Sequence, residues 1–495
     1  MIVFKVLLLT IEDEILTYSL SFVSYPSILK EFPYGHGGKS GKPSFKIYLM
    51  KLKLALVVLG LFSAMGMAQK RSWTLEECVL YAEENNLSIA QFELDYETAL
   101  IANSDAIGAL LPSFNTSISS SGNTGLALDP TTNTLVTSTI FSGSGNVGSG
   151  ITLFDGLRNI HRINRAKLSS LASEYRLENL KDDIRLAVAN SYLQVLSGKE
   201  STKVAQAQLE VSMKDLERTR ALSASGVVPQ GDVLEIEATV AAQEQQLVIA
   251  QNNVIIARIA LAQLLQITDY VNFDIAEEDF LLPNSRILDQ SPKDIFEKAL
   301  TFRNDIKLSR TNVDIANKDL QISKGARYPT LNGFFNYNTR YSDQNINPFT
   351  GDLVAFKDQL WINDGVSYGI SVNIPVFNGF SVKNNIKRSK INLMRTELQF
   401  AQDKLTLESN INQAYADVNG TLKSFEAAQK TLEARKLAFQ YTKERFDVGL
   451  LDAFNFSQAQ SRVDNAQASL ISAKYNYIFR LKVLEFYFGI PLAIN

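Results

Sequence analysis

Histidine, cysteine and carboxylate side chains are where metal binding or acid–base catalysis would begin, and this chain has few of the first two. His36 and His161 are its only histidines and Cys78 its only cysteine. A His/Cys zinc site needs three or four such ligands, and a disulfide within the chain needs a second cysteine. His161, in the run RNIHRINR, would be the one histidine left for general-base work; its place just past a strand-like segment reads as an interfacial or periplasmic surface residue. Cys78 lies in a helical segment and reads as a small packing residue. No nucleophile–base pair, glycine-rich phosphate loop or metal constellation is present, so the expectation is a protein that is not an enzyme and uses no cofactor. Two carboxylates stand out by spacing: Asp232 and Glu235 are three apart at a helix start, where both favour the positive helix end. The net charge of −3 gives no basic footprint, so nucleic acid is not an expected partner.

These residues must be positioned by something, and the first segment to consider is one that would be removed. Residues 51–68, KLKLALVVLGLFSAMGMA, have a lysine-bearing start, an apolar stretch and small residues Gly66 and Ala68 before Gln69. This is the pattern of a signal peptide, too short in its apolar run to span a membrane. The reading is a signal peptide over 50–68, a non-native upstream extension over 1–49, and an exported chain starting near Gln69.

Proline and glycine divide the remainder. No proline occurs between Pro130 and Pro229 or between Pro375 and Pro491; Gly198 is the only glycine in 157–225 and Gly420 the only one in 380–448. Breaker-free stretches of Ala, Leu, Gln, Glu and Lys predict helices over 157–225 and 380–448. At about 1.5 Å per residue each would be roughly 100 Å long. Shorter partners are expected over 232–266 and 455–488. Leu407, Ile411, Tyr415, Val418, Leu422 and Phe425 form a coiled-coil-like seam.

Elsewhere the period is two. Val366, Tyr368, Ile370, Val372, Ile374 and Val376 alternate with Ser, Gly, Asn and Pro, and similar alternation marks four strands, at about 112–122, 142–154, 331–341 and 366–377. They pair as hairpins around loops 123–140 and 342–365. Runs of about ten residues, apolar on one side and polar on the other, fit tilted transmembrane β-strands.

The chain also contains itself twice. At a shift of 223, Phe154-Asp155-Gly156 falls on Phe377-Asn378-Gly379, Tyr192 on Tyr415 and Gly226 on Gly449; upstream, Leu111-Pro112 meets Tyr328-Pro329 at a shift of 217. The expected repeats are 72–267 and 292–490, each helix, strand, strand, long helix, turn, helix, joined by a linker at 268–291. Four strands cannot close a barrel, and an open edge in lipid leaves backbone groups unsatisfied. Two chains would supply eight strands and a filled interior, three would supply twelve and a lumen, and a conduit favours three.

At this point the residues resemble the TolC-type outer-membrane efflux protein family over about 72–491. The resemblance is carried by WTLEECVLYAEENNLSIAQ (73–91), FDGLRNIHRINRAK (154–167), FNGFSVKNNIKRSK (377–390) and FDVGLLDAFNFSQAQ (446–460). It implies a mixed α/β membrane protein: a homotrimer sharing a twelve-stranded transmembrane barrel, continued by a long periplasmic α-helical coiled-coil tunnel. It implies a passive duct of a tripartite efflux or type I secretion system in the bacterial outer membrane, working with a periplasmic adaptor and an inner-membrane transporter and embedded in outer-membrane lipid. The alternative is a structural or adhesive coiled-coil protein of the envelope, which leaves the paired amphipathic strands unexplained.

The two helix–turn–helix tips, 225–238 and 448–460, are the candidate sites. Gly226 and Gly449 fit left-handed helix ends, and Asp232 and Asn455 sit where the next helix would be capped. By resemblance the tips bind the adaptor, and Gly226, Val227, Val228, Gly449, Leu450 and Leu451 are the expected docking residues. The same tips close the tunnel in relatives, often through acids in the second turn. Here that turn offers Asp452, Asn455 and Gln458, while the first offers Asp232 and Glu235; these five are the expected pore aperture. Leu451 stands where relatives often carry a linking arginine, so the charge-linked closure of relatives is not expected here, and apolar closure is left open.

Overall fold

A computed structural model describes residues 72–128, 132–277, 286–347 and 349–490. The expected signal peptide and upstream extension lie outside the described residues. Two long helices, α3 (Arg158–Ala224) and α8 (Ser381–Asp447), each have 67 residues, and each turns back into a shorter one, α4 (Gln230–Leu264) and α9 (Ala453–Phe488). Every start along the second hairpin lies 223 residues after its counterpart in the first.

Each long helix is entered from a strand through the same turn. Gly156 and Gly379 have positive φ, followed by Leu157 and Phe380 in the left-handed region. In the first turn Asp155, buried, accepts a hydrogen bond from the Asn159 amide at 3.0 Å, satisfying one of the free donors at the helix start. Gly156 has a second reason to be glycine: a Cβ there would collide with the Gly325 carbonyl.

The segment before each hairpin differs from the expected single helix. It is two helices, α1 (Leu75–Asn85) and α2 (Leu87–Gly108), then again α5 (Pro292–Phe302) and α6 (Asn304–Gly325), with 11 and 22 residues in both cases. The break at Asn86 is chemical: its side chain accepts from the Ser88 amide at 2.9 Å and donates to the Leu264 carbonyl at 3.1 Å, capping α2 while tying it to the end of α4. At the second break the Arg303 guanidinium bonds Asp305 at 2.7 Å and lies over the rings of Phe486 and Tyr487. The expected linker also holds structure: β1 (Ser72–Trp73) pairs in parallel with β4 (Asp274–Ile275), and a 3-10 turn spans Arg286–Asp289.

The remaining strands form one antiparallel sheet in the order β2 (Ser113–Leu128), β3 (Leu135–Phe154), β5 (Thr330–Ser342), β6 (Gly365–Asn373). The first two run further than expected, to Leu128 and from Leu135, into the span read as a loop over 123–140; β6 stops at Asn373 rather than 377, which puts Ile374 and Val376 past its end. The register sorts the side chains by face. The row Phe114, Ser149, Phe335, Tyr368 and the row Thr116, Val147, Tyr337, Val366 share one face; Asn115, Gly148, Asn336, Ser367 and Ser117, Asn146, Asn338, Gly365 share the other. On the polar face Ser119 and Ser144 exchange a hydrogen bond at 2.8 Å, while Phe334, set between Gly150 and Gly369, and the buried Ile140, opposite Asn123, are large apolar exceptions. All helical connections leave one end of the sheet, and both hairpin turns lie at the other.

Three apolar clusters hold the helices. One gathers α1, α3, α4 and α9 around Cys78, Tyr192, Leu261 and Ile478. A second packs α5 and α9 onto the α8 seam through Leu407, Ile411 and Val418. Tyr192 and Tyr415, equivalent at the 223 shift, each direct a hydroxyl to a backbone carbonyl of the linker region, Ala276 at 3.2 Å and Leu288 at 3.2 Å. The third cluster is at the tips. Cys78 is fully buried and its thiol is pushed up to about 12 by burial, with Glu77 adding to the effect, as fits a packing residue.

Candidate functional site

Both tips are built by the same helix-ending device. Gly226, at φ 77°, lets Val227 donate its amide to the Leu222 carbonyl and Gly226 its own to Ser223, both at 3.0 Å; Gly449, at φ 76°, does the same for Leu450 to Arg445 at 2.9 Å. A left-handed glycine closing these bonds reverses the chain within a few residues. The capping residues are not those expected. Pro229 precedes α4 without a side-chain cap, and Asp232 lies in the first helical turn. On the second tip Asp452 is the cap: its carboxylate accepts from the Asn455 amide at 2.8 Å and from the Asn455 side chain at 2.9 Å. Asn455 is therefore a donor to the cap.

The apolar tip residues divide. Val227 and Leu450 are 64% and 72% exposed, and Val448 and Phe454, which the sequence reading passed over, are also exposed. Leu451 turns inward onto the third cluster, in which Val233 and Ile236 of α4 meet Phe446 and Phe456. The last two rings stack at 4.5 Å between centroids. Gly226, Gly449, Val227 and Leu450 thus form the outer surface of the tips, with Val228 half-buried behind them.

Beyond this cluster the two hairpins are tied by charge and by amides. Arg218 of α3 meets Asp447 of α8 at 2.7 Å, and Lys443 of α8 meets Asp215 of α3 at 3.3 Å. Asp215 is 8% exposed, and its second carboxylate oxygen is buried without a hydrogen bond. Further along, Ser212 donates to the Gln243 side-chain oxygen at 2.7 Å while the Gln243 amide donates to Asp464 at 2.9 Å. Gln460 donates to Ser212 at 2.7 Å, and Thr239 to Ser457 at 2.9 Å. Burial pushes the Asp464 carboxyl up to about 6, against the opposing pull of the Gln243 hydrogen bond.

This polar layer floors a groove of about 850 Å³ between α3, α4 and α9, which Glu235 and Gln458 both line. The structure brings those two expected aperture residues together. Asp452 and Asn455 are engaged with each other, and Asp232, half-buried, lies outside the groove lining. His161 sits near the start of α3 with Nδ1 buried and unbonded, further inside than a surface residue.

The family model described as "Outer membrane efflux protein" matches residues 81–265 and 295–489. Outer membrane efflux protein BepC of Brucella suis biovar 1 is 24% identical over 348 residues, 69% of this chain and 71% of that protein. Toxin and drug export protein A of Aggregatibacter actinomycetemcomitans is 24% identical over 398 residues, 80% and 81% of the two chains. Among solved structures, the outer membrane protein VceC of Vibrio cholerae superposes with a TM-score of 0.71 at 16% identity, covering 84% of this chain and 96% of that one; the likeness is one of fold.

Proposed function

The chain belongs to the outer membrane efflux protein family, and on that premise we propose that it works as a passive duct, three copies sharing one barrel. Its place is the bacterial outer membrane, as the outer channel of a tripartite efflux or type I secretion system. The observation that carries the reading is the two-faced sheet: rows of Phe, Tyr, Val and Ile back onto rows of Ser, Asn and Gly across all four strands. An apolar outer face and a polar inner face are what lipid and a water-filled lumen require.

The outer strands of the sheet, β2 and β6, each have one unpaired edge. In lipid those edges need partners, and joining β6 of one copy to β2 of the next closes the sheet without a new element. Three copies give twelve strands and a lumen. The equal helix lengths at constant offset support an internal duplication, in which each copy places two similar hairpins around the axis. Helix α4 is, among the described residues, the one helix long and apolar enough to cross a membrane, yet only 17% of its apolar window is buried. Its exposed Val248, Ile255, Ile256 and Ile259 are better explained as contact area for a neighbouring copy, because α4 lies antiparallel against α3.

Substrate would pass without covalent chemistry, driven by an inner-membrane transporter joined through a periplasmic adaptor. The exposed Val227 and Leu450, with the half-buried Val228 behind them, form the docking tips, and Gly226 and Gly449 set the turns; Leu451 serves closure. Asp232, Glu235, Asp452, Asn455 and Gln458 surround the aperture, and its width depends on the Arg218–Asp447 and Lys443–Asp215 pairs that hold the hairpins together. Purified protein in a planar bilayer, with its mass measured in detergent, tests the reading: a trimer that conducts is the expected result, and a water-soluble monomer that never inserts overturns it.

A further inference from the structure

The turn between β5 and β6 carries a built element that a simple barrel loop does not need. Strand β6 begins at Gly365, opposite Asn338, so the last four residues of β5 have no strand on that side. A seven-residue helix, α7 (Phe356–Ile362), takes that place. Gln359, 1% exposed, accepts from the Ser342 amide at 2.9 Å and donates to the Ser342 carbonyl at 2.8 Å; Asn363 donates to the Arg340 carbonyl at 3.0 Å. These bonds satisfy the β5 edge and fix the helix against it.

The helix leans to one face. Thr339 donates to the Leu360 carbonyl at 2.9 Å, and Tyr341 meets the Phe356 ring edge-on at 5.1 Å. By the strand's period of two, Thr339 and Tyr341 share the face of Phe335 and Tyr337, which is the apolar face. Phe356 stands on that side, and α7 leaves Phe356, Trp361 and Ile362 55%, 73% and 67% exposed. Loop tips in water ordinarily carry small polar residues. Height explains the difference. From Thr330 to Tyr341 the chain climbs roughly 28 Å, taking ~3.3 Å per residue and a ~40° tilt, against an apolar band of about 25 Å on outer-membrane barrels. That puts α7 at the outer rim, where tryptophan bridges headgroups and acyl chains.

We infer that α7 is an interfacial anchor whose partner is the outer-leaflet lipid surface, with Trp361 and Ile362 seated at the boundary between headgroups and acyl chains. The inference rests on the membrane-barrel reading, and the two can fail separately. Trp73 and Trp361 are the only tryptophans, and Trp73 packs on Tyr81 and Phe273 beside the middle of α3, where the Tyr192 hydroxyl reaches its carbonyl, so Trp73→Phe leaves Trp361 as the sole reporter. The full chain is reconstituted into phosphatidylcholine vesicles whose lipids carry bromine either close to the headgroup or deep in the acyl chain. In parallel, Tyr368→Trp, placed in a background of Trp73→Phe and Trp361→Phe, reports on the middle of the sheet face. The expected result is loss of Trp361 emission with the shallow label, less with the deep one, and little with aqueous iodide; the mid-sheet reporter should lose emission with the deep label. A lipid-quenched mid-sheet reporter beside a Trp361 quenched by iodide puts the helix in water and overturns the anchor alone. Trp361 shielded from both lipid and iodide means a neighbouring copy covers it, which also overturns the anchor. A mid-sheet reporter that no lipid quenches overturns the barrel reading and the anchor with it.

Discussion

Asp464→Asn tests whether the polar layer between the hairpins is under electrostatic tension. The substitution keeps the oxygen that accepts from the Gln243 amide at 2.9 Å and removes only the charge. Burial raises the Asp464 carboxyl to about 6 from its ordinary 3.8, so the folded state holds its proton more tightly than the unfolded chain. The sign follows by linkage: a raised carboxylate pKa means stability falls as pH climbs from the unfolded value through the folded one, and the loss is complete above it. Two pKa units amount to an upper bound of about 3 kcal/mol. One side of the groove is open to solvent, which screens the charge, and about 1.5–2 kcal/mol per copy is the figure to expect. Thermal or denaturant melts in detergent should therefore find Asp464→Asn more stable than the parent at about pH 8, with the advantage shrinking to a few tenths of a kcal/mol near pH 4. Because Asp464 joins α9 to the first hairpin, the parent channel should also conduct more readily at the higher pH, and the variant should flatten that dependence. A stability difference of equal size at both pH values would show that the charge is not the source and that the burial argument is wrong.

Other perturbations separate the remaining roles. Lys443→Met leaves the 8%-exposed Asp215 without its cation, and breaking such a pair costs about 3 kcal/mol when buried, less here because Lys443 is partly exposed; a higher open fraction in bilayer recordings is expected. Leu450→Ser removes exposed apolar area at about 25 cal/mol per Å² and should weaken adaptor pull-down without raising leak, whereas Leu451→Ser, cut from the cluster around Phe446 and Phe456, should raise leak first. Ile370→Arg puts a charge on the apolar sheet face opposite Gly333, near mid-bilayer, where about 2–4 kcal/mol is lost, so less trimer should reach the membrane in fractionation and heat-shift gels.

How much of this was legible depended on the distance over which the determining interaction acts. The long helices were, because the absence of proline and glycine is a local property, and their boundaries fell within a few residues of the structure. The far ends of β2 and β3 were not: residues 123–128 and 135–140 fell in the span read as a loop, because Asn123, Thr124, Gly125, Thr137 and Thr139 are polar or glycine and hide the alternation. The helix breaks at Asn86 and Arg303 had a local sign only in the first case, an Asn-Asn pair; the second is set by Phe486 and Tyr487, far along the chain. The second tip's cap was read as Asn455 and is Asp452, three residues earlier, because the position of the cap follows from how many residues the chain uses to leave Gly449, which spacing alone does not fix. Arg218–Asp447 and Lys443–Asp215 join residues 229 and 228 apart, and nothing in either neighbourhood announces its partner.

Those distant pairs also explain a contrast along the helices. Where α8 and α9 must stay together, the seam is Leu407, Ile411, Val418 and Leu481, and parting it would expose apolar surface to water with nothing to replace the lost contact. Where the two hairpins meet above the tips, the partners are Ser212, Gln243, Gln460 and Asp464. Water can substitute for each of these hydrogen bonds, so separation exchanges one set for another, at a net of about 0.5–1.5 kcal/mol per bond. A duct that had to open by unwinding its apolar seams would lose its fold as it opened. On the proposed opening, placing amides, hydroxyls and ion pairs between two intact hairpins would confine the change to the layer that solvent can fill, and would leave the packing of Val233 and Ile236 against Phe446 and Phe456 as the apolar contact between hairpins that must part.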